Sequence, residues 1–140
     1  MGLKDRRNIK VHIKSVRLLV RAVETEFNRR TRNLTIDSAP NEEALSYVRT
    51  NVAMAVWGKA TQMSGRQDFP GRQPITVAGH AFLLLTARGV FRPDQFGVLA
   101  YQYEWLGRLG ITKAHMSIIW ENPKVIDFGP NSFSSLIREY

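Results

Sequence analysis

Residues 9–27 read IKVHIKSVRLLVRAVETEF, and two interleaved periods run through them. Ile9, Ile13, Val16, Val20, Val23 and Phe27 recur at alternating steps of four and three, the spacing that places side chains on one face of an α-helix. Lys10, Lys14, Arg17 and Arg21 repeat the same steps one position further on, so a cationic stripe is expected beside the apolar seam. A helix over 8–31 would be about 36 Å long, roughly one turn of a nucleic-acid duplex. One face of it can pack while its flank meets phosphates. Between positions 6 and 23 no acidic residue is available for i to i+4 pairing, so these cations repel one another unless an external anion approaches. The same Ile/Val/Phe seam would also serve a coiled-coil interface, and that alternative stays open at this level.

The charge of the chain is concentrated at this end. The net charge is +8 over 140 residues, but residues 1–33 hold ten Lys/Arg against Asp5, Glu24 and Glu26, leaving the other 107 positions close to neutral. Such asymmetry is the pattern of a nucleic-acid binder or, on a weaker footing, of a protein attracted to an anionic membrane surface. Fourteen of the 20 cations are Arg, whose planar fork suits bidentate phosphate contact better than Lys. The candidate phosphate contacts are therefore Lys4, Arg6, Arg7, Lys10, Lys14, Arg17, Arg21, Arg29, Arg30 and Arg32. Solvation of a helix face is the bland alternative for such a stripe.

Outward from this segment the chain reads as further helices. Asp37, Ser38 and Pro40 supply start signals for a second helix over 40–63, with Leu45, Val48, Val52 and Ala55 as its inner stripe. Tyr47, Met54, Val56 and Trp57 broaden that stripe, and Gly58 is expected to allow close approach of another backbone. Ser64 to Pro74 is rich in Gly, Pro and charge and reads as a loop. Thr76 is expected to cap a third helix running through Arg88, apolar all round at Ala81 to Leu85, with Gly89 ending it. A fourth should run from Pro93 to about Leu109 and stop at Gly110, and a fifth, capped by Thr112, should end before Pro123. The expected fold class is all-α: a basic N-terminal helical arm over 1–33, then a compact four- to five-helix bundle over 34–140 ending in a short irregular tail.

Several chemistries find no foothold. With no cysteine there is no disulfide, thiolate metal site or Cys nucleophile. The longest uncharged run, Gln73 to Ala87, falls short of the roughly 20 apolar residues of a membrane span. A secretory h-region is not apparent, so an intracellular or packaged protein is expected. His12, His80 and His115 lack metal-ligand spacing. His12 is expected to meet phosphate or solvent, and the other two to sit at the edge of the core. The carboxylates Asp94, Glu104, Glu121 and Asp127 form no local acid/base pair, and there is no nucleophile elbow or phosphate loop. Neither an enzyme nor a cofactor is expected. Phe96, Tyr101, Tyr103 and Trp105 fit a core or subunit interface better than a base-stacking platform.

No zinc-finger, homeodomain or helix-turn-helix pattern suggests base reading, so binding should be independent of nucleotide sequence. The basic N-terminal segment Lys4 to Arg32 together with the stretch FGVLAYQYEWLGRLG at 96–110 resembles the plan of the small coat proteins of filamentous archaeal viruses of the rudivirus and lipothrixvirus type. The resemblance implies a structural capsid protein that coats double-stranded DNA through its backbone in a helical virion. It also implies assembly with further copies or a paralogous coat protein, and residence in the host cytoplasm before packaging. A small dimeric DNA-binding regulator or chromatin-type protein, and a nucleic-acid-processing enzyme using the scattered carboxylates, are the competing expectations.

Overall fold

The computed structural model describes residues 3–34, 41–64 and 74–138, except the side chains of 3–8, Ser64, Pro130, Ile137 and Arg138. The described chain is all-helical, without strands: α1 (Leu3–Leu34), α2 (Glu42–Ser64), α3 (Pro74–Ala87), α4 (Phe96–Gln102), α5 (Glu104–Gly107), α6 (Lys113–Glu121) and α7 (Pro130–Arg138). Short 3₁₀ turns precede α4 at Pro93–Gln95 and follow α6 at Pro123–Val125.

The basic helix does not stand apart from the bundle as the expected arm would. Helices α1, α2 and α3 pack mutually, each against the other two. Val16, Leu19, Val20 and Val23 of α1 are buried in one cluster with Val48, Val52, Ala53, Val56 and Ala60 of α2. At about 1.5–3 kcal/mol for each fully buried aliphatic side chain, this inner face holds α1 in place. The expected break between arm and bundle near residue 33 thus separates two helices that share one core.

Helix α3 is central because every residue from Val77 to Thr86 is buried. Such a helix needs neighbours on all sides, and α1, α2 and α6 supply them. Thr76 lies inside its first turn and does not cap it. Gly79, not Gly58, is the close-approach glycine: a Cβ there would lie 2.6 Å from Leu109 Cδ2, whereas one at Gly58 meets nothing within 4 Å. Gly89 and Gly110 do end their segments as expected, with φ of 84° and 74°, the left-handed conformation glycine adopts without steric cost.

The start of α2 is held by Asn41, whose Oδ1 accepts from the Glu43 N–H at 2.7 Å. The expected signals at Asp37, Ser38 and Pro40, and most of the loop expected between 64 and 74, lie outside the described residues. Arg49 is a buried cation of α2 that Nε ties to the Val90 carbonyl at 3.1 Å, joining α2 to the turn after α3.

The expected fourth helix is broken at Tyr103, which is extended (φ −117°, ψ 110°) between α4 and α5. Its hydroxyl donates to the Thr50 carbonyl at 3.0 Å. The bend turns Trp105 and Leu106 into the core while Val98 and Tyr101 stay outside. Trp105 then stacks on Trp57 with 5.7 Å between ring centroids. The tail is not irregular as expected: α7 buries Phe133 and Leu136 on one face.

Thr112 caps α6 as its sequence position implied. Its Oγ1 accepts from the His115 N–H, and the Thr112 N–H donates back to His115 Nδ1 at 2.8 Å, so His115 takes the place of the usual Glu or Gln in a capping box. Thr112→Ala is expected to cost about 1 kcal/mol, read as a lower denaturant midpoint at unchanged slope. An unchanged midpoint would show that the cap contributes nothing.

Candidate nucleic-acid interface

The geometry of the cationic stripe follows from which face of α1 is buried. The buried set is His12, Ser15, Val16, Leu19, Val20 and Val23, whereas Ile9, Ile13 and Phe27 of the sequence seam are only half-buried. At about 100° per residue, the inner face is turned roughly 50° from the seam and away from the cations. Lys10, Lys14, Arg17 and Arg21, all exposed, therefore fall within an arc of about 60° almost opposite the core, not beside it. A groove of about 360 Å³ runs along them, flanked by the aliphatic Ile13 and Leu18. Four cations rise from a helix whose backbone is already fixed by its other face, while their long side chains keep their own rotamer freedom.

The other expected contacts are distributed differently. Lys4, Arg6 and Arg7 lie in the first turns of α1, and their side chains are outside those described. Arg29 and Arg30 both bond Glu26 at 2.7 Å, which holds that carboxyl below its usual range and leaves the pair less available to an external anion. Arg32 is exposed in the last turn. The structure thus lines up Lys10, Lys14, Arg17 and Arg21 on one face, and Arg32 lies at the same angle about three turns further along.

Two residues far along the chain join this face. Phe128, between α6 and α7, lies under the Arg17 guanidinium, 5.1 Å from ring centroid to Cζ. Arg88, at the end of α3, bonds Glu24 of α1 through Nε at 2.6 Å. Neither is legible in the sequence as part of the site, because only tertiary packing brings positions 64 to 111 residues apart together. Local pattern marks Arg88 only as a helix end and Phe128 only as part of the tail.

His12 is not a phosphate or solvent contact. It is buried, with Nε2 2.9 Å from Nδ1 of the fully buried His80, whose Nε2 is 2.7 Å from the Asp127 carbonyl. The carbonyl can only accept, so His80 donates from Nε2 and its Nδ1 accepts from His12 Nε2–H. This chain of bonds joins α1 to α3 and to the segment carrying Phe128. His80 and His115 are also deeper than the core edge expected for them, each fully buried.

Burial lowers the pKa of His80, with the Asp127 carbonyl and charge opposing, and burial alone lowers that of His115. Both therefore stay neutral in the folded chain at a pH where the unfolded chain takes up protons. Stability is full above the ordinary histidine value of 6.5 and declines as pH falls below it, by up to about 1.4 kcal/mol per pH unit for each. Chemical denaturation at pH 7.5 and 5.5 should show a lower midpoint at 5.5, and His115→Gln should shrink the difference to the part contributed by His80. Equal midpoints for the native chain would contradict the buried neutral histidines.

Of the carboxylates considered as a catalytic set, three are engaged within a few residues of themselves and Glu121 is exposed at the end of α6. Asp94 pairs with Arg92, Glu104 with Arg108, and Asp127 Oδ1 accepts from the Gly129 N–H. No group of three His, Asp or Glu side chains suited to a metal ion occurs among the described residues. None of the described helices is long and apolar enough to cross a membrane. No protein family, curated protein or solved structure matches the chain.

Proposed function

We propose that this protein is a structural, non-enzymatic nucleic-acid-binding protein that coats double-stranded DNA through its phosphate backbone, without reading bases, in a helical virion or nucleocapsid. The observation that carries the reading is the stripe Lys10, Lys14, Arg17 and Arg21, exposed along one line of a helix whose opposite face is locked into the core. Phosphates spaced along a duplex groove are the natural counter-charge to such a line. The stripe holds only aliphatic and cationic side chains, without the Asn or Gln that pairs with adenine or the Glu that accepts from cytosine, and an evenly spaced line of Lys and Arg suits backbone phosphates.

Coating requires contact between copies or with a paralogous coat protein. Tyr47 and Met54 on α2, Val98 and Tyr101 on α4, and Trp120 on α6 are large apolar side chains left exposed, Tyr101 at 95% of its surface. These are residue types favoured in interface cores, and they are the surfaces through which subunits would meet.

Duplex DNA of random sequence is the test ligand. The full chain is expected to bind it with a steep log–log salt dependence, with similar affinity for unrelated sequences, and to form regular filaments visible by electron microscopy. A large specific-over-nonspecific affinity ratio with a discrete footprint would favour a regulator instead. Metal-dependent cleavage of the duplex would favour the enzyme.

A further inference from the structure

Beside the stripe, α1, the end of α3 and the Phe128 segment enclose a cleft of about 300 Å³ lined by Arg17, Val20, Arg21, Glu24, Arg88 and Phe128. We infer that this cleft is a seat for one phosphodiester group, held between two helices by the guanidinium groups of Arg17, Arg21 and Arg88. The inference rests on the duplex-coating reading and adds to it a fixed point of register.

Each guanidinium is presented in a distinct way. The Arg17 guanidinium lies over the Phe128 ring, 5.1 Å from its centroid, which restrains the charge at the cleft. Arg88 is held through Nε by Glu24, so its two Nη groups keep their donors. Arg21 lines the cleft from the turn of α1 following Arg17. Three cations and one carboxylate leave the cleft with a net charge of +2, enough to favour a singly charged phosphodiester. Val20 and Phe128 supply an apolar floor that lowers the local dielectric and strengthens charge-assisted hydrogen bonds.

A seat differs from a diffuse cationic field in what Arg88 contributes. Arg88 and Glu24 cancel in charge, so Glu24→Gln with Arg88→Gln removes the α3 donor and preserves the net charge of the cleft. If only the field matters, this double variant binds duplex DNA like the native chain. If the cleft seats a phosphate, its log–log salt slope falls by about 0.9, the value of one neutralised phosphate, and its affinity falls about tenfold. Arg108→Gln, outside the cleft, provides the comparison for removing one surface cation.

The seat is also observable with inorganic phosphate. Titration should shift the Nε–Hε resonances of Arg17, Arg21 and Arg88 in the NMR spectrum of the native chain and leave that of Arg108 in place. Uniform small shifts across all arginines, or native-like duplex binding by the double variant, would overturn the seat while leaving the coating reading intact. Absence of duplex binding by the native chain, or binding only to phosphatidylserine vesicles, would overturn both.

Discussion

Replacing Lys10, Lys14, Arg17 and Arg21 together by Gln is expected to lower the log–log salt slope of duplex binding by about 2.7, at roughly 0.9 for each of three phosphates no longer neutralised, because Arg17 and Arg21 share one. Over a fourfold change of salt that difference amounts to about fortyfold in affinity. The fold should survive, because all four side chains are exposed and exposed substitutions usually change stability by about 0.5 kcal/mol or less. The far-ultraviolet circular dichroism and the denaturation midpoint of the variant control for this. An intact variant that binds duplex with the native slope would remove α1 from the interface. Arg29→Gln with Arg30→Gln should matter less, since Glu26 already engages both guanidinium groups.

Phe82→Ala is expected to produce the largest loss of stability, about 3–5 kcal/mol. Phe82 is fully buried on α3, stacked on Phe91 at 4.4 Å between centroids and set edge-on to Trp105 at 6.1 Å. Its removal leaves a cavity where α3 meets the turn after it and the α5 segment, and those rings cannot all close on one methyl group. Domains of this kind have about 5–15 kcal/mol in total, so the variant should unfold at a far lower denaturant concentration or fail to accumulate folded. A midpoint shifted by less than the equivalent of about 1 kcal/mol would mean that the aromatic cluster collapses to fill the space.

These two outcomes separate the roles of α1 and α3. The stripe on α1 is a surface that can be neutralised without unfolding, whereas α3 is a buried axle on which the other helices rest. The link between them is partly polar: His12 donates to His80, and His80 to the Asp127 carbonyl, beside the Phe128 that supports Arg17. Loss of packing at α3 is therefore expected to disturb the cleft as well as the core.

Much of the helical content is legible in the sequence because local rules decide it. The three-and-four spacing of α1, the all-round apolarity of Ala81 to Leu85, the Thr112 cap and the glycines at 89 and 110 act within a few residues of themselves. The break at Tyr103 is not legible, because it follows from a hydroxyl bonded to Thr50 on another helix. Nor is α7: its stretch is short, and only burial of Phe133 and Leu136 against the rest of the chain distinguishes it from a tail.

The sequence by itself determined that the chain is helical, that its positive charge gathers at one end, and that four cations share a helical line. Tertiary structure decided where that line faces. Leu19, with the polar His12 and Ser15, entered the core, because α2 and α3 offered an apolar groove and a partner in His80. That choice turned α1 so that the stripe points almost directly away from the core. It also brought Arg88 and Phe128 to the edge of the stripe, since contacts between residues 64 or more positions apart arise from packing and leave no periodic trace in the chain.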